Sequence, residues 1–226
     1  MKPLTRDIIL EGFRSPRLLE LVGQVKSSIS DEDKVKFITF LLHPQYKRRF
    51  IVGSGRTGFM MKNFAMRLMH LDIGEIYVIG ETITPAVEGK NDLIIAASGS
   101  GSTMEVINPS KVAKELGATV ISLTSDKDSL LAQSSDDIIY IPVKETLSKV
   151  SNLENSTNRD EHGYIENQIR GQFKKSAVLG TLFEDTIAIF LDEVIEICMN
   201  ILEKTEKELE LKHENLGKIV RASRIP

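Results

Sequence analysis

The apolar positions of this chain follow two periodicities, one helical and one typical of buried strands. Helical spacing runs through DIILEGFRSPRLLELVGQV and DEDKVKFITFLL, and Ser30 and Asp31 are suitable N-caps for the second of these segments. Continuous apolar runs then follow in RRFIVGSG, EIYVIG, DLIIAAS, TVISLTS and DDIIYIPV. The pattern predicts two opening helices, over about residues 3–43, and five buried strands after them.

Further helical segments lie between and after the strands. A helix is predicted from Thr57 to Leu71, and another over MEVINPSKVAKELG. VLGTLFEDTIAIFLDEVIEICMNIL is apolar around nearly its whole circumference, which predicts burial in the core or at a subunit interface. A more polar helix, KTEKELELKHENLG, completes a C-terminal pair over about residues 178–217. Strands that alternate with helices predict a three-layer α/β sandwich around a five-stranded parallel sheet.

Composition narrows the functional classes. The 226 residues are 41% hydrophobic and 27% charged, which fits a single domain over residues 1–226. A net charge of −3, with acids and bases interspersed, argues against a nucleic-acid partner. The single cysteine, Cys198, cannot form an intramolecular disulfide, and no apolar stretch reaches the roughly 20 residues that span a bilayer. We expect a cytoplasmic protein with no membrane partner. The polar stretch from Lys144 to Gln172 is interpreted as an inserted loop or helix.

A first glycine-rich turn, GSGRTG, follows the first strand. Gly53, Gly55 and Gly58 satisfy the G-x-G-x-x-G pattern between a strand and a helix, and Glu81 ends the next strand where a ribose-binding acid belongs. On these features alone a dinucleotide site and another ligand site fit equally. No glycine-lysine pair follows either glycine-rich turn, which argues against a P-loop nucleotide hydrolase.

A second glycine-rich turn, SGSGST, follows the third strand and opens a helix. Free amides at a helix N-terminus bind anions, and four hydroxyls in six residues add neutral donors. The alternative is a simple N-cap in a flexible loop, which needs only one serine, whereas this turn has four hydroxyl residues. The turn therefore predicts a phosphate monoester site, formed by Ser98, Gly99, Ser100, Gly101, Ser102 and Thr103.

Several blocks, in this order, resemble those of the 6-phospho-3-hexuloisomerase family. They are VGSGRTG, FAMRLMHL, VIGETITPA, IAASGSGST, ISLTSD, LGTLFEDTIAIFLD and LKHENL, and they cover nearly the whole chain. The resemblance implies membership of the wider sugar isomerase (SIS) domain family, with a parallel sheet in flavodoxin-like strand order. It also implies interconversion of 3-hexulose 6-phosphate and fructose 6-phosphate by a homotetramer. Thr57, Asp72, Ser102 and the segment SAVLG depart from the family's usual residues.

The resemblance also assigns site residues. Gly53, Ser54 and the SGSGST turn hold the phosphate and neighbouring oxygens of the substrate, Glu184 is the catalytic base, and His213 matches the histidine of the family's C-terminal helix. Moving a carbonyl between adjacent carbons requires one carboxylate that acts first as base and then as acid, through an enediolate. Glu184 and Asp185 both begin an apolar helix, so a capping role for Glu184 is the alternative.

Other candidates are weighed on their residue types. Arg56 could neutralise the enediolate or the phosphate, or form a surface salt bridge. Glu81 and Thr82 could bind substrate hydroxyls or simply end the second strand, and His70 is expected to be a packed histidine. We expect no metal or nucleotide cofactor, since a proton transfer needs neither hydride acceptor nor Lewis acid. The alternatives are another phosphosugar isomerase, such as one acting on arabinose 5-phosphate, a non-catalytic phosphosugar sensor, and a dinucleotide-binding protein.

Overall fold

The structure, a computed structural model, describes residues 17–151 and 181–213. Its helices are α1 (Arg17–Ser27), α2 (Asp31–Leu42), α3 (Gly55–His70), α4 (Met104–Glu115), α5 (Leu130–Gln133), α6 (Val143–Ser151), α7 (Thr181–Ile201) and α8 (Glu206–His213). Its strands are β1 (Arg48–Gly53), β2 (Glu75–Val78), β3 (Asp92–Ala97), β4 (Thr119–Thr124) and β5 (Asp137–Tyr140). The five predicted strands are thus all present.

The strands form one sheet in the order β2-β1-β3-β4-β5, and every neighbouring pair is parallel. The predicted parallel sheet and its flavodoxin-like order are confirmed. In the dinucleotide-binding order β1 lies between β2 and β4, whereas here its neighbours are β2 and β3. The strand order reverses between β1 and β3, so these two strands flank the switch point.

Helices cover both faces of the sheet because every strand carries apolar side chains on both. All six residues of β3 are buried. On one face the core includes side chains of α1, α2, α3 and α7, where the Phe37 ring stacks with Phe64 and Phe190 at centroid distances of 6.1 and 5.9 Å. On the other face Val106, Ile107 and other residues of α4 and α5 pack on the sheet. The three-layer prediction is confirmed.

The element boundaries follow local chemistry. Ser30 is the N-cap of α2, as predicted, and its side chain accepts a hydrogen bond from the Asp33 amide. Helix α3 begins at Gly55, two residues before the predicted start. Two non-glycine residues, Asp72 and Glu203, have left-handed backbone φ angles of 62° and 54°. This conformation favours glycine, so Asp72 and Glu203 each hold a backbone shape that costs a residue with a side chain more than it costs glycine.

Helix α5 was not predicted from the sequence, and α6 occupies the first part of the polar stretch for which a loop or a helix was predicted. The rest of that stretch, residues 152–172, lies outside the described residues, as do positions 3–16, 178–180 and 214–217 of the predicted terminal helices. Within the ranges 17–151 and 181–213, no helix is both long and apolar enough to cross a membrane.

A buried arginine joins the segments around the first strand. Arg49 of β1 is 1% exposed, and its guanidinium donates hydrogen bonds to the carbonyl oxygens of Leu41, Tyr46 and Ile73. Burial lowers its pKa to about 10. The thiol of Cys198 is buried as well, and burial raises its pKa to about 11. Arg49 thus ties the end of α2 and both loops beside it to the sheet.

An ion pair closes the amino-terminal edge of the sheet, opposite the switch-point edge. Arg48 of β1 lies beside Asp92 of β3 and donates to it from Nε at 2.7 Å and from Nη2 at 2.6 Å. The Asp92 carboxylate also accepts from the amides of Glu88 and Gly89. Burial acts to raise the pKa of Asp92, but Arg48 and the two amides outweigh it and hold that pKa below its ordinary value.

Candidate active site

Both glycine-rich turns lie at the switch point of the sheet. Gly53 ends β1 and is paired with Ala97, which ends β3. The turns that follow these residues therefore begin side by side at the carboxyl edge. Open α/β sheets bind their ligands in this crevice, which is where the sequence predicts a phosphosugar.

The glycines of the first turn allow β1 and α3 to approach closely. A Cβ on Gly58 would lie 2.9 Å from the Gly53 carbonyl oxygen, and Gly55 has a φ of +57°. Ser54 is the N-cap of α3, yet its side chain makes no capping hydrogen bond. The turn thus presents a serine at a helix N-terminus, where the partial positive charge of the helix attracts anions.

The second turn folds its hydroxyls into two pairs. The Ser98 and Thr103 hydroxyl oxygens are 3.0 Å apart, and those of Ser100 and Ser102 are 2.9 Å apart. Thr103 is the N-cap of α4 without a side-chain capping bond. Within the part of the chain that the structure describes, the amides of Thr103, Met104 and Glu105 donate no hydrogen bond. Amides that donate no hydrogen bond at a helix N-terminus can bind an anion, here at the start of α4.

Neighbouring elements hold the second turn in place. The Gly101 carbonyl accepts from the Leu131 amide at 2.9 Å, and the Gly99 carbonyl accepts from the Ser125 amide at 3.1 Å. Gly101 has a φ of +62°, and a Cβ there would lie 2.0 Å from the Ser129 hydroxyl oxygen. The turn is therefore held by β4 and α5, and Ser129, the N-cap of α5, is a residue that the sequence analysis missed.

The first turn of α7 packs directly against the phosphate-binding candidate. A Cβ on Gly99 would lie 3.0 Å from Cγ of Phe183, so the ring packs closely on this glycine and would have to shift for any larger residue. Phe183 immediately precedes Glu184 in the chain. This contact places the backbone of the predicted base next to the SGSGST turn.

Glu184 is a buried carboxylate that meets one arginine. Its side chain is 11% exposed, and Oε2 lies 3.1 Å from Nη1 of Arg56. The same nitrogen donates a hydrogen bond to the Thr181 hydroxyl at 3.1 Å. Oε2 itself receives no aligned hydrogen bond from the residues in 17–151 and 181–213. The contact is therefore a charge pair at close distance, and neither this pair nor the role of Thr181 was predicted from the sequence.

Burial and neighbouring charges act on Glu184 in opposite directions. Burial raises the pKa of its carboxyl group, the Arg56 charge lowers it, the Asp185 charge raises it and the Thr57 hydroxyl lowers it. The net result is a raised pKa. A raised pKa makes the ionised carboxylate a stronger proton acceptor near neutral pH, which is what a general base needs.

The remaining candidate residues lie away from Arg56 and Glu184, or have side chains outside the described residues. Glu81 follows β2 and pairs with Lys62 of α3, and Thr82 beside it is exposed. His213 is the last residue of α8, which packs against α3, but its side chain lies outside the described residues. His70 is buried, as predicted. The structure thus brings together Gly53, Ser54, Arg56, Glu184 and the SGSGST turn.

Comparisons with known proteins agree with the parallel α/β fold. The SIS domain model matches residues 43–157. A 3-hexulose-6-phosphate isomerase from Bacillus subtilis is 34% identical over 82% of this chain and 87% of its own length. One from Methanocaldococcus jannaschii is 35% identical over 75% of this chain and 77% of its own.

A solved structure is similar over almost its full length. It is a Methanococcus jannaschii protein whose crystal structure was described as inferring the function of a 3-hexulose-6-phosphate isomerase. It has a TM-score of 0.67 and 30% identity, over 88% of this chain and 97% of that one. These similarities confirm the resemblance on which the site residues were assigned. The chain belongs to the SIS domain family.

Proposed function

We propose that this protein is a phosphosugar isomerase that interconverts 3-hexulose 6-phosphate and fructose 6-phosphate. The names of its relatives support the substrate. The observation that carries the proposal is the buried carboxylate of Glu184. Glu184 immediately follows Phe183 in the chain, and the ring of Phe183 covers Gly99 of the SGSGST turn. A phosphate-binding turn and a raised-pKa base thus lie at one switch point.

The phosphate group is assigned to the turn from Ser98 to Thr103. The unpaired amides at the start of α4 and the serine hydroxyls would donate to its oxygens, and Ser54 would donate from the neighbouring helix N-terminus. Binding the phosphate fixes the reacting carbons relative to Glu184, which turns a proton transfer in solution into one between held groups.

Glu184 is assigned the proton transfer. Its carboxylate removes the proton from C2 of the 3-ketose, the electron pair moves toward the C3 carbonyl, and a 2,3-enediolate forms. The carboxylic acid then returns the proton to C3, while the C2 oxygen becomes the new carbonyl and the C3 oxygen takes up the hydroxyl proton. His213, which the resemblance matches to the histidine of the family's C-terminal helix, is the candidate for moving that proton between the two oxygens, since an imidazole can both accept and donate a proton.

Exposed apolar side chains support self-association, and the family resemblance makes a homotetramer the proposed assembly. Phe59, Met66 and Met69 of α3 are 66%, 44% and 55% exposed, and Ile83 after β2 is 85% exposed. Clusters of exposed apolar residues mark protein interfaces. Size-exclusion chromatography with light scattering tests the assembly, and a monomer at micromolar concentration would contradict it.

One assay tests the reaction. Purified full-length protein is given 3-hexulose 6-phosphate, and fructose 6-phosphate is followed. Glu184→Gln should lower kcat by roughly 10²-fold or more, since an amide accepts no carbon-bound proton, and exchange of solvent deuterium into the substrate should fall in parallel. Asp185→Asn is the matched control and should retain most of the turnover.

Near-normal turnover and exchange in Glu184→Gln would remove Glu184 as the base and make His213 or Glu81 the leading candidate. A panel of phosphosugars tests the substrate. Faster turnover of arabinose 5-phosphate would change the assignment from a ketose-ketose isomerase to an aldose-ketose isomerase. Tight phosphosugar binding with no turnover of any substrate would indicate a sensor, and NAD binding without turnover would indicate a dinucleotide-binding protein.

A further inference from the structure

We propose that Arg56 is a positioning residue that responds to the substrate: it holds the Glu184 carboxylate in the free protein and transfers to the substrate's phosphate dianion on binding. The transfer would release Glu184 as a stronger base at the moment when the base is needed. This inference rests on the proposed isomerase function and deepens the role of one residue in the same site.

The position of Arg56 makes both contacts reachable. It is the second residue of α3, two residues after Ser54, in the glycine-rich turn at the switch point. Its Nη1 lies 3.1 Å from the Glu184 carboxylate and 3.1 Å from the Thr181 hydroxyl. One guanidinium thus links the phosphate side of the site to the first turn of α7.

The two partners differ in their freedom to move. The Arg56 side chain is 52% exposed, whereas that of Glu184 is 11% exposed and held inside the molecule. Rearrangement of the pair therefore moves the arginine, and the carboxylate stays where the substrate carbons would meet it. The long side chain of arginine can change rotamer on the surface without any change in the core.

The present contact can be exchanged for a better one. Glu184 Oε2 receives no aligned hydrogen bond from the described residues, so the pair depends on charge alone. A phosphate dianion carries more charge than a carboxylate and accepts two parallel hydrogen bonds from a guanidinium. Arg56 would therefore gain both charge and hydrogen-bond geometry by the exchange.

The charges that face Glu184 determine the direction of the effect. In the described part of the chain they are Arg56 from α3 and Asp185 from its own helix, with the Thr57 hydroxyl beside them, whereas the ring of Phe183 and the turn at Gly99 carry no charge. Once the Arg56 charge is neutralised by phosphate, burial and Asp185 remain, and both raise the pKa of Glu184. Substrate binding should thus raise the basicity of the base.

Rate profiles against pH test this arrangement. The acid limb of kcat/KM reports the base in the free enzyme, and that of kcat reports it in the complex with substrate. In the wild type we expect the limb of kcat at higher pH than that of kcat/KM. In Arg56→Ala the limb of kcat/KM should move up toward that of kcat, so that the two converge.

Two further variants complete the kinetic test. Arg56→Lys keeps the charge and should restore part of the separation between the limbs. Arg67→Ala removes an exposed arginine from the last turn of the same helix and should leave both limbs in place. If the two limbs coincide in the wild type, or if Arg56→Ala moves both equally, Arg56 stays on Glu184 throughout and the inference is wrong.

A titration without turnover separates this inference from the proposed function. With ¹³C-labelled glutamate, the Glu184 carboxyl signal is assigned by its loss in Glu184→Gln and is titrated with and without inorganic phosphate. We expect phosphate to raise the pKa of Glu184 in the wild type, and to raise it less in Arg56→Ala, where only the charge of the bound dianion acts on the carboxylate. A wild-type pKa that ignores saturating phosphate would overturn the inference, even in an active isomerase. A rise with phosphate that is larger in the wild type than in Arg56→Ala, in a protein without isomerase activity, would uphold it and reject the function.

Discussion

Gly101→Ala should destabilise the protein more than Gly55→Ala, and the difference measures how firmly α5 holds the phosphate-binding turn. Both glycines have left-handed φ angles, +62° and +57°. A Cβ at position 55 would meet nothing within 4 Å, whereas one at position 101 would lie 2.0 Å from Oγ and 2.3 Å from Cβ of Ser129. Both substitutions therefore place alanine in the left-handed region at a similar cost in free energy, and only Gly101→Ala adds a steric clash with Ser129.

The magnitudes follow from these two contributions. Alanine in the left-handed region costs about 1–2 kcal/mol, and the loss of unfolded-state freedom returns about 0.4–1 kcal/mol. The clash at Gly101 adds about 1–3 kcal/mol, which is the usual cost of overpacking. For a chain of this size, 1 kcal/mol shifts Tm by about 2–4 °C, so Tm should fall further in Gly101→Ala than in Gly55→Ala by about 2–12 °C.

Differential scanning calorimetry of both variants provides the comparison, and KM for fructose 6-phosphate provides a second readout. Since the clash pushes the turn away from α5, Gly101→Ala should also raise KM. The double variant Gly101→Ala/Ser129→Gly removes the clashing atoms and should recover most of the extra loss of Tm, while Ser129→Gly alone costs only a few tenths of a kcal/mol as a lost N-cap. Equal Tm values for Gly55→Ala and Gly101→Ala would refute the reasoning, as would a double variant without recovery.

Three further predictions concern other parts of the fold. Glu203→Gly should raise the free energy of unfolding by about 1 kcal/mol in urea titrations, because the amides of Glu203 and Lys204 cap α7 through the Asn200 and Met199 carbonyls with Glu203 in the left-handed region. Asp92→Asn should lower that free energy by about 3 kcal/mol, the low end of the cost of breaking a buried pair, because Arg48 loses its buried partner and keeps only the exposed Glu88. The folded-state pKa of Asp92 is depressed, so its stabilisation is present above the unfolded-state pKa and is lost as pH falls through the folded-state pKa. The free energies of unfolding of the wild type and the variant should therefore converge in acid. The buried Cys198 thiol, with its pKa raised to about 11, should react with a thiol reagent only at the rate of unfolding, and rapid labelling of the native protein would contradict its burial.

The sequence was most informative where one residue type determines the structure. Continuous apolar runs identified all five strands, since a strand covered on both faces needs apolar residues at every position. Helix α5, with four residues, was missed because it is too short to show a helical period. The start of α3 was placed late, since Gly55 is a poor helix former that the tertiary structure places in the first turn.

The sequence predicted individual residues of the candidate site but not the contacts between them. Hydroxyls and glycines in SGSGST indicate an anion site by composition alone. The pairing of Arg56 with Glu184 joins residues far apart in the chain, and it depends on how α3 packs against α7. Local patterns carry no information on such a pair, which is why the sequence predicted for Arg56 only an action on substrate or a surface salt bridge with no identified partner. Ser129 was missed for the same reason, since its role arises from the φ angle of Gly101.

The buried Arg49 has a consequence for how this region opens. Its guanidinium reaches the last turn of α2, the loop before β1 and the connection before β2, through the carbonyls of Leu41, Tyr46 and Ile73. Separation of any one segment would leave a buried cation short of acceptors, so the three should open together as one cooperative unit. Native-state hydrogen exchange should then give the protected amides of these segments a common opening free energy, although they lie in separate parts of the sequence.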